Sequence, residues 1–103
     1  MTIASPSCEL REVSAHRFAL TGELTFATQG TVHAFGESLV RREAELEIDC
    51  DALAGVDSAG LAVLLDWLAA ARAVGHRLTY VGLPASLLQL ARISEVDGFL
   101  RGA

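Results

Sequence analysis

The sequence predicts an α/β fold, a four-stranded, mostly parallel mixed sheet with helices packed mainly on one face. Three observations lead there. Apolar residues recur at every second position over 45–51 and 78–82, and in a shorter pair of segments near the start. Apolar stripes of helical spacing lie between and after these segments. Strands that alternate with helices need crossover connections, and crossovers make neighbouring strands parallel. The 103 residues suit one domain (1–7 a loose start, 8–103 the folded unit), and 51% hydrophobic against 20% charged residues excludes a disordered chain.

The elements follow in order. Over 8–13 the chain alternates, with Leu10 and Val13 as inward candidates, and Ser14, Ala15 and His16 form a turn. Arg17 to Leu20 completes a hairpin with Phe18 and Leu20 on one face, ended by Gly22. Thr25 or Thr28 caps a first helix reaching Arg42, whose buried stripe is Val32, Phe35, Leu39 and Val40. Over 45–51, Leu46, Ile48 and Cys50 point one way and Glu45, Glu47, Asp49 and Asp51 the other, a strand with one solvated face. A second helix covers 59–74, stops at Gly75, and buries Leu61, Leu64, Leu65 and Leu68. Leu78 and Tyr80 mark the fourth strand. Pro84 opens a helix over 84–93, where its missing N–H costs nothing, and a short helical turn closes the domain near 96–100.

Composition narrows the function. A net charge of −5 argues against a nucleic-acid face or an anionic membrane surface as partner. The longest apolar stretch, 61–71, is broken by Asp66 and too short to insert into a bilayer, and no basic start precedes an apolar run. A soluble cytoplasmic protein is expected. Cys8 and Cys50 stand apart and read as buried thiols of a reducing compartment. His16, His33 and His76 lack companions at ligand spacing, so neither a metal nor another cofactor is expected. Gly55 to Gly60 resembles a nucleophile elbow, but its spacing is G-x-x-S-x-G. The one histidine after Ser58, His76, lies beyond the far end of a helix roughly 25 Å long at 1.5 Å per residue, out of reach as a base. No enzyme is expected.

Two motifs carry a family resemblance. Ala19-Leu-Thr-Gly-Glu-Leu24 leads into the first helix, and Leu46-Glu-Ile-Asp-Cys-Asp-Ala-Leu-Ala-Gly-Val-Asp-Ser-Ala-Gly-Leu-Ala-Val-Leu-Leu65 runs from an apolar strand through an acidic loop into an apolar helix. Asp57, Ser58, Gly60 and Leu61 match the Asp-Ser/Thr-x-Gly-Leu mark of the STAS family, named for sulfate transporters and anti-sigma factor antagonists. The resemblance covers roughly 8–100. Within the family the chain is most similar to the MlaB-like group, the STAS subunit of the Mla phospholipid ABC transporter. Its pointers are Leu24 to Thr28, Asp57 to Leu65, and Leu87-Leu-Gln-Leu-Ala-Arg-Ile93 with the following Ser94-Glu-Val96.

That resemblance implies a non-catalytic cytoplasmic subunit, held at the inner membrane by the transporter's ATPase, which it binds and supports. The partner-facing edge it implies comprises Glu23, Thr25, Phe26, Asp57, Ser58, Ala59 and Gly60, with the small residues admitting a partner's backbone. In the sigma-factor branch the hydroxyl matching Ser58 is phosphorylated, so the alternative is an anti-sigma factor antagonist whose partner is an anti-sigma kinase. On the helical wheel Val63 and Trp67 fall on a shoulder of the second helix and form a candidate secondary interface, with packing against a neighbouring helix as the other reading.

Overall fold

The computed structural model describes residues 7–100, so the expected loose start lies, apart from Ser7, outside the described residues. The elements are β1 (Cys8–Ser14), β2 (Arg17–Leu24), α1 (Gln29–Arg42), β3 (Glu45–Asp49), β4 (Leu53–Val56), α2 (Ser58–Ala73), β5 (Arg77–Val81), α3 (Ala85–Ile93) and α4 (Asp97–Leu100). They build a five-stranded sheet in the order β1-β2-β3-β5, with β4 paired to β2 off this path. β1 and β2 are antiparallel; β2 is parallel to β3 and to β4, and β3 to β5.

The α/β class, the mixed sheet and the hairpin start are as expected, and the sheet has one strand more. β2 does not stop at Gly22. Glycine tolerates the φ of +89° there, so the strand bends and continues to Leu24. Its first half, 17–19, pairs with β3, and its last residues, 22–24, pair with β4. β3 and β4 are thus two short segments laid along one long neighbour, separated by a turn in which the Leu53 N–H donates to Cys50 O at 3.0 Å.

Alternation of side chains sorts the sheet faces. Phe18, Leu20, Leu46, Ile48, Leu78 and Tyr80 are buried, packing on the helical side. Glu45, Glu47 and Asp49 point the other way, toward water, with Glu47 and Asp49 only partly exposed. Arg17 spans two of them, its guanidinium 3.0 Å from Glu47 and 3.5 Å from Asp49. Val13 disappoints the inward expectation: it falls at the β1–β2 register shift and is exposed, while Cys8 takes the buried place.

Trp67 organises the helical layer. It is fully buried, and its indole N–H donates to His33 O on α1 at 3.0 Å. Gly36 provides the room: a Cβ there would overlap the indole ring, with Nε1 at 2.7 Å. The buried stripe of α1 is therefore Val32, Gly36, Leu39 and Val40, and Phe35, expected inside, is half exposed. Val63 is buried as well. A secondary interface through Val63 and Trp67 is thereby ruled out, because both side chains are spent on the core. Tyr80 makes a second cross-layer bond, its hydroxyl donating to Leu64 O at 2.7 Å. Among the described residues no buried side-chain nitrogen or oxygen lacks a partner.

Candidate functional site

The two sequence motifs meet at one corner. β2 ends at Leu24, β4 at Val56, and the two strands run parallel with Leu24 facing Val56. Parallel strands end on the same side, so the loop 25–28 after β2 and the first turn of α2 after β4 emerge together.

Asp57 joins them. As N-cap of α2 it has extended backbone, and one carboxylate oxygen accepts from the Gly60 N–H at 2.9 Å. Its other oxygen accepts from the Phe26 N–H at 3.1 Å. The cap is therefore also a clasp across 31 residues of sequence. These N–H donors, Gly60 first and Phe26 second, hold the carboxyl below the ordinary aspartate value, with further contributions from the backbone at Ala59 and Asp57 itself.

Thr28 secures the loop from beneath. It is buried; its hydroxyl donates to Glu23 O at 2.6 Å and accepts from the Thr25 N–H at 3.0 Å. The Thr25 hydroxyl accepts from the Ala27 N–H at 3.3 Å, and its carbonyl receives the Gln29 N–H at 2.8 Å. Thr28 stands at the N-cap position of α1 without capping by its side chain, because its hydroxyl is turned back into the loop.

On this braced frame the outward groups are Glu23, Phe26, Ala27, Asp57 and Ser58, all exposed, with Thr25 and Ala59 partly so. Phe26 shows 77% of its surface to solvent, more than any other large hydrophobic side chain described. The arrangement offers an apolar side chain, a free hydroxyl and a fixed carboxylate at the positive end of a 16-residue helix.

Gly60 departs from expectation. It is buried, and a Cβ on it would overlap Leu24 O and stand 2.8 Å from Leu24 C. Its lack of a side chain lets α2 sit against β2 within the chain, leaving no room for a partner's backbone. Of the residues expected to touch a partner, Gly60 is thus a packing residue, and the other six line the rim or brace it. Sequence reasoning missed the roles of Thr28 and Asp57 as braces, because the bond from the Phe26 N–H to Asp57 joins residues 31 positions apart.

The histidines are dispersed: His16 Nδ1 lies 3.5 Å from Glu43, His33 Nε2 3.2 Å from Asp66, and His76 Nδ1 3.0 Å from Val40 O. Among the described residues no three His, Cys, Asp or Glu side chains gather as a metal site would require. Cys8 and Cys50 are free and buried; burial chiefly raises the Cys8 thiol to about 11 and the Cys50 thiol to about 12. No helix among the described residues is long and apolar enough to cross a membrane.

A mixed sheet that enters by a hairpin, alternates with helices and carries a capped Asp-Ser turn defines a STAS-type domain. Solved structures agree on the fold. The chain is similar to the anti-sigma factor antagonist SpoIIAA in its unphosphorylated form, with a TM-score of 0.65 at 16% identity, covering 84% of this chain and 82% of that one. It is equally similar to the Bacillus cell fate determinant SpoIIAA in the phosphorylated form, with a TM-score of 0.65 at 18% identity, covering 89% and 86%. No curated protein matches by sequence. The chain belongs to the family described as "Mlab, STAS domain", whose model matches residues 9–102. Domains of this type are generally non-catalytic, and the assignment points to protein–protein interaction.

Proposed function

We propose that this chain is a non-catalytic cytoplasmic subunit that binds and supports the ATPase of an Mla-type phospholipid ABC transporter. The family name favours the Mla setting. The observation that carries the docking reading is the exposure of Phe26 and Ser58 together on a rim clasped by Asp57. A rigid rim loses little conformational freedom on binding, and an exposed aromatic beside polar groups is a strong interface anchor. Glu23, Thr25 and Ala59 complete the contact. Because the contact brings no reacting group, it acts on ATP hydrolysis by favouring one conformation or assembly state of the ATPase.

The test is co-purification with the ATPase of an Mla-type transporter from the same organism. Ser58→Arg, on an exposed first-turn position, leaves the fold intact and abolishes capture; undiminished capture contradicts the reading.

A second reading has its own support. Ser58 is an exposed hydroxyl at a helix N-terminus, and the similar SpoIIAA structures include unphosphorylated and phosphorylated forms. On this reading the chain is an anti-sigma factor antagonist switched by an anti-sigma kinase. A phosphate on Ser58 carries nearly two negative charges, attracted by the helix N-terminus and repelled by the Asp57 carboxylate beside it. Incubation with ATP and the cognate kinase, read by mass spectrometry, gives a phosphate on Ser58 if this reading is right and none if the transporter reading is.

A further inference from the structure

β1 forms one edge of the sheet: among the described residues β2 lies on one side of it and no strand on the other. Its backbone phase follows from a single bond, the Glu23 N–H donating to Ser7 O at 2.9 Å. The register sets Cys8 against Gly22, Glu9 against Thr21 and Arg11 against Ala19. Bonded and non-bonded pairs alternate along an antiparallel ladder. With Ser7 and Glu23 a bonded pair, Glu9 and Arg11 bond inward to β2. The N–H and C=O groups of Cys8, Leu10 and Glu12 therefore point away from the sheet, and no backbone bond outside the ladder engages them among the described residues.

We propose that this edge pairs with the same edge of a second copy of the chain, antiparallel about a twofold axis at Leu10. Bonding requires the outward residues Cys8, Leu10 and Glu12 to face one another, which leaves only registers two residues apart. With Leu10 facing its own counterpart, Cys8 faces Glu12 and Glu9 faces Arg11, each twice by symmetry. Sliding one step sets Arg11 against Arg11; sliding the other way sets Glu9 against Glu9. The Leu10 register alone is charge-complementary at both of these positions.

The side chains suit it. Glu9 and Arg11 are exposed and carry no ion pair among the described residues. In the new ladder they occupy non-bonded pairs, where opposing side chains come closest and opposite charges stabilise. On the helical side, half-buried Leu10 and half-exposed Phe35 border the groove between β1 and α1, and the seam gives Leu10 its own counterpart as an apolar neighbour. The irregularity between Glu12 and Ser14 limits the usable edge to Cys8–Glu12, short enough that the dimer is weak and concentration-dependent.

Sedimentation velocity on the full chain at low ionic strength, over a concentration series, reads the association. The wild type rises toward twice the monomer mass. Glu9→Arg and Arg11→Glu each oppose like charges at both pairs and weaken association about tenfold or more. Mixed in equal amounts, the two variants restore opposite charges at both pairs and associate again. A wild type that stays monomeric, a single reversal that associates as well as wild type, or a mixture no better than its components overturns the proposal. Association through the β5 edge would produce the second of these results.

Discussion

Replacing Gly60 by alanine tests whether the rim is built by close approach of α2 to β2. In an exposed helix this substitution stabilises by up to about 1 kcal/mol, since alanine restricts the unfolded chain more than glycine. At Gly60 the added carbon overlaps Leu24 O and lies 2.8 Å from both Leu24 C and Val56 Cγ1. The overlapping atom belongs to the backbone of a central strand, so relief must come from moving the start of α2. That movement stretches the bond from the Asp57 N–H to Leu24 O, already 3.4 Å, and loosens the Asp57 clasp on Phe26. Overpacking costs about 1–3 kcal/mol and a weakened cap about 1 kcal/mol, against a propensity gain of at most about 1 kcal/mol. The net loss is roughly 1–3 kcal/mol, or about 5–20 °C in Tm for a domain of this size. Gly30 is the control: nothing lies within 4 Å of its added Cβ, so Gly30→Ala raises Tm by a few degrees. Thermal unfolding followed by circular dichroism reads both. A Gly60→Ala variant that melts with or above the wild type would refute the reasoning.

Trp67→Ala empties the space between α1 and α2 and lowers stability by about 3–5 kcal/mol in denaturant titration; a loss below 1 kcal/mol would mean the ring is not core. Asp57 has a lowered folded pKa, so its charged-state contribution is present above the ordinary aspartate value of about 3.9 and is lost as pH falls through the folded value. The carboxyl is well exposed and screened, so the wild type exceeds Asp57→Asn by no more than about 1 kcal/mol near neutrality, and the two converge in acid; a gap that widened on acidification would reverse the sign argued here. With thiols raised to about 11 and about 12, Cys8 and Cys50 react with a chromogenic disulfide reagent at neutral pH only as fast as the protein opens, and rapid reaction of both in the native state would contradict their burial.

Periodicity made much of the fold legible. β3, α2 and β5 alternate or repeat strongly enough that local pattern alone locates them, and Pro84 and Gly75 mark helix limits on their own. β4 was hidden for a physical reason: Leu53-Ala-Gly-Val56 is four residues with a glycine, and it is a strand only because β2 continues past Gly22 to meet it. The stripe of α1 misled at Phe35 because a hydrophobic pattern rewards a large apolar residue and overlooks a glycine. Gly36 owes its buried place to a Trp 31 positions away, which no local window contains. The same limit applied at the rim. Ser58 and Asp57 were legible as a helix start, whereas the clasp to Phe26 and the Thr28 brace depend on two parallel strands ending side by side. Gly60 was read as an opening for a partner because an exposed and a buried glycine look alike in sequence.

Hydrogen exchange of the chain with and without the transporter ATPase tests the docking claim most directly. The account predicts slowed exchange in the loop 23–28 and at the first turn of α2, around Ser58 and Ala59, with the open sheet face unchanged. Protection confined to the sheet face or to α3, with amides beside Phe26 and Ser58 exchanging as in the free chain, would contradict it.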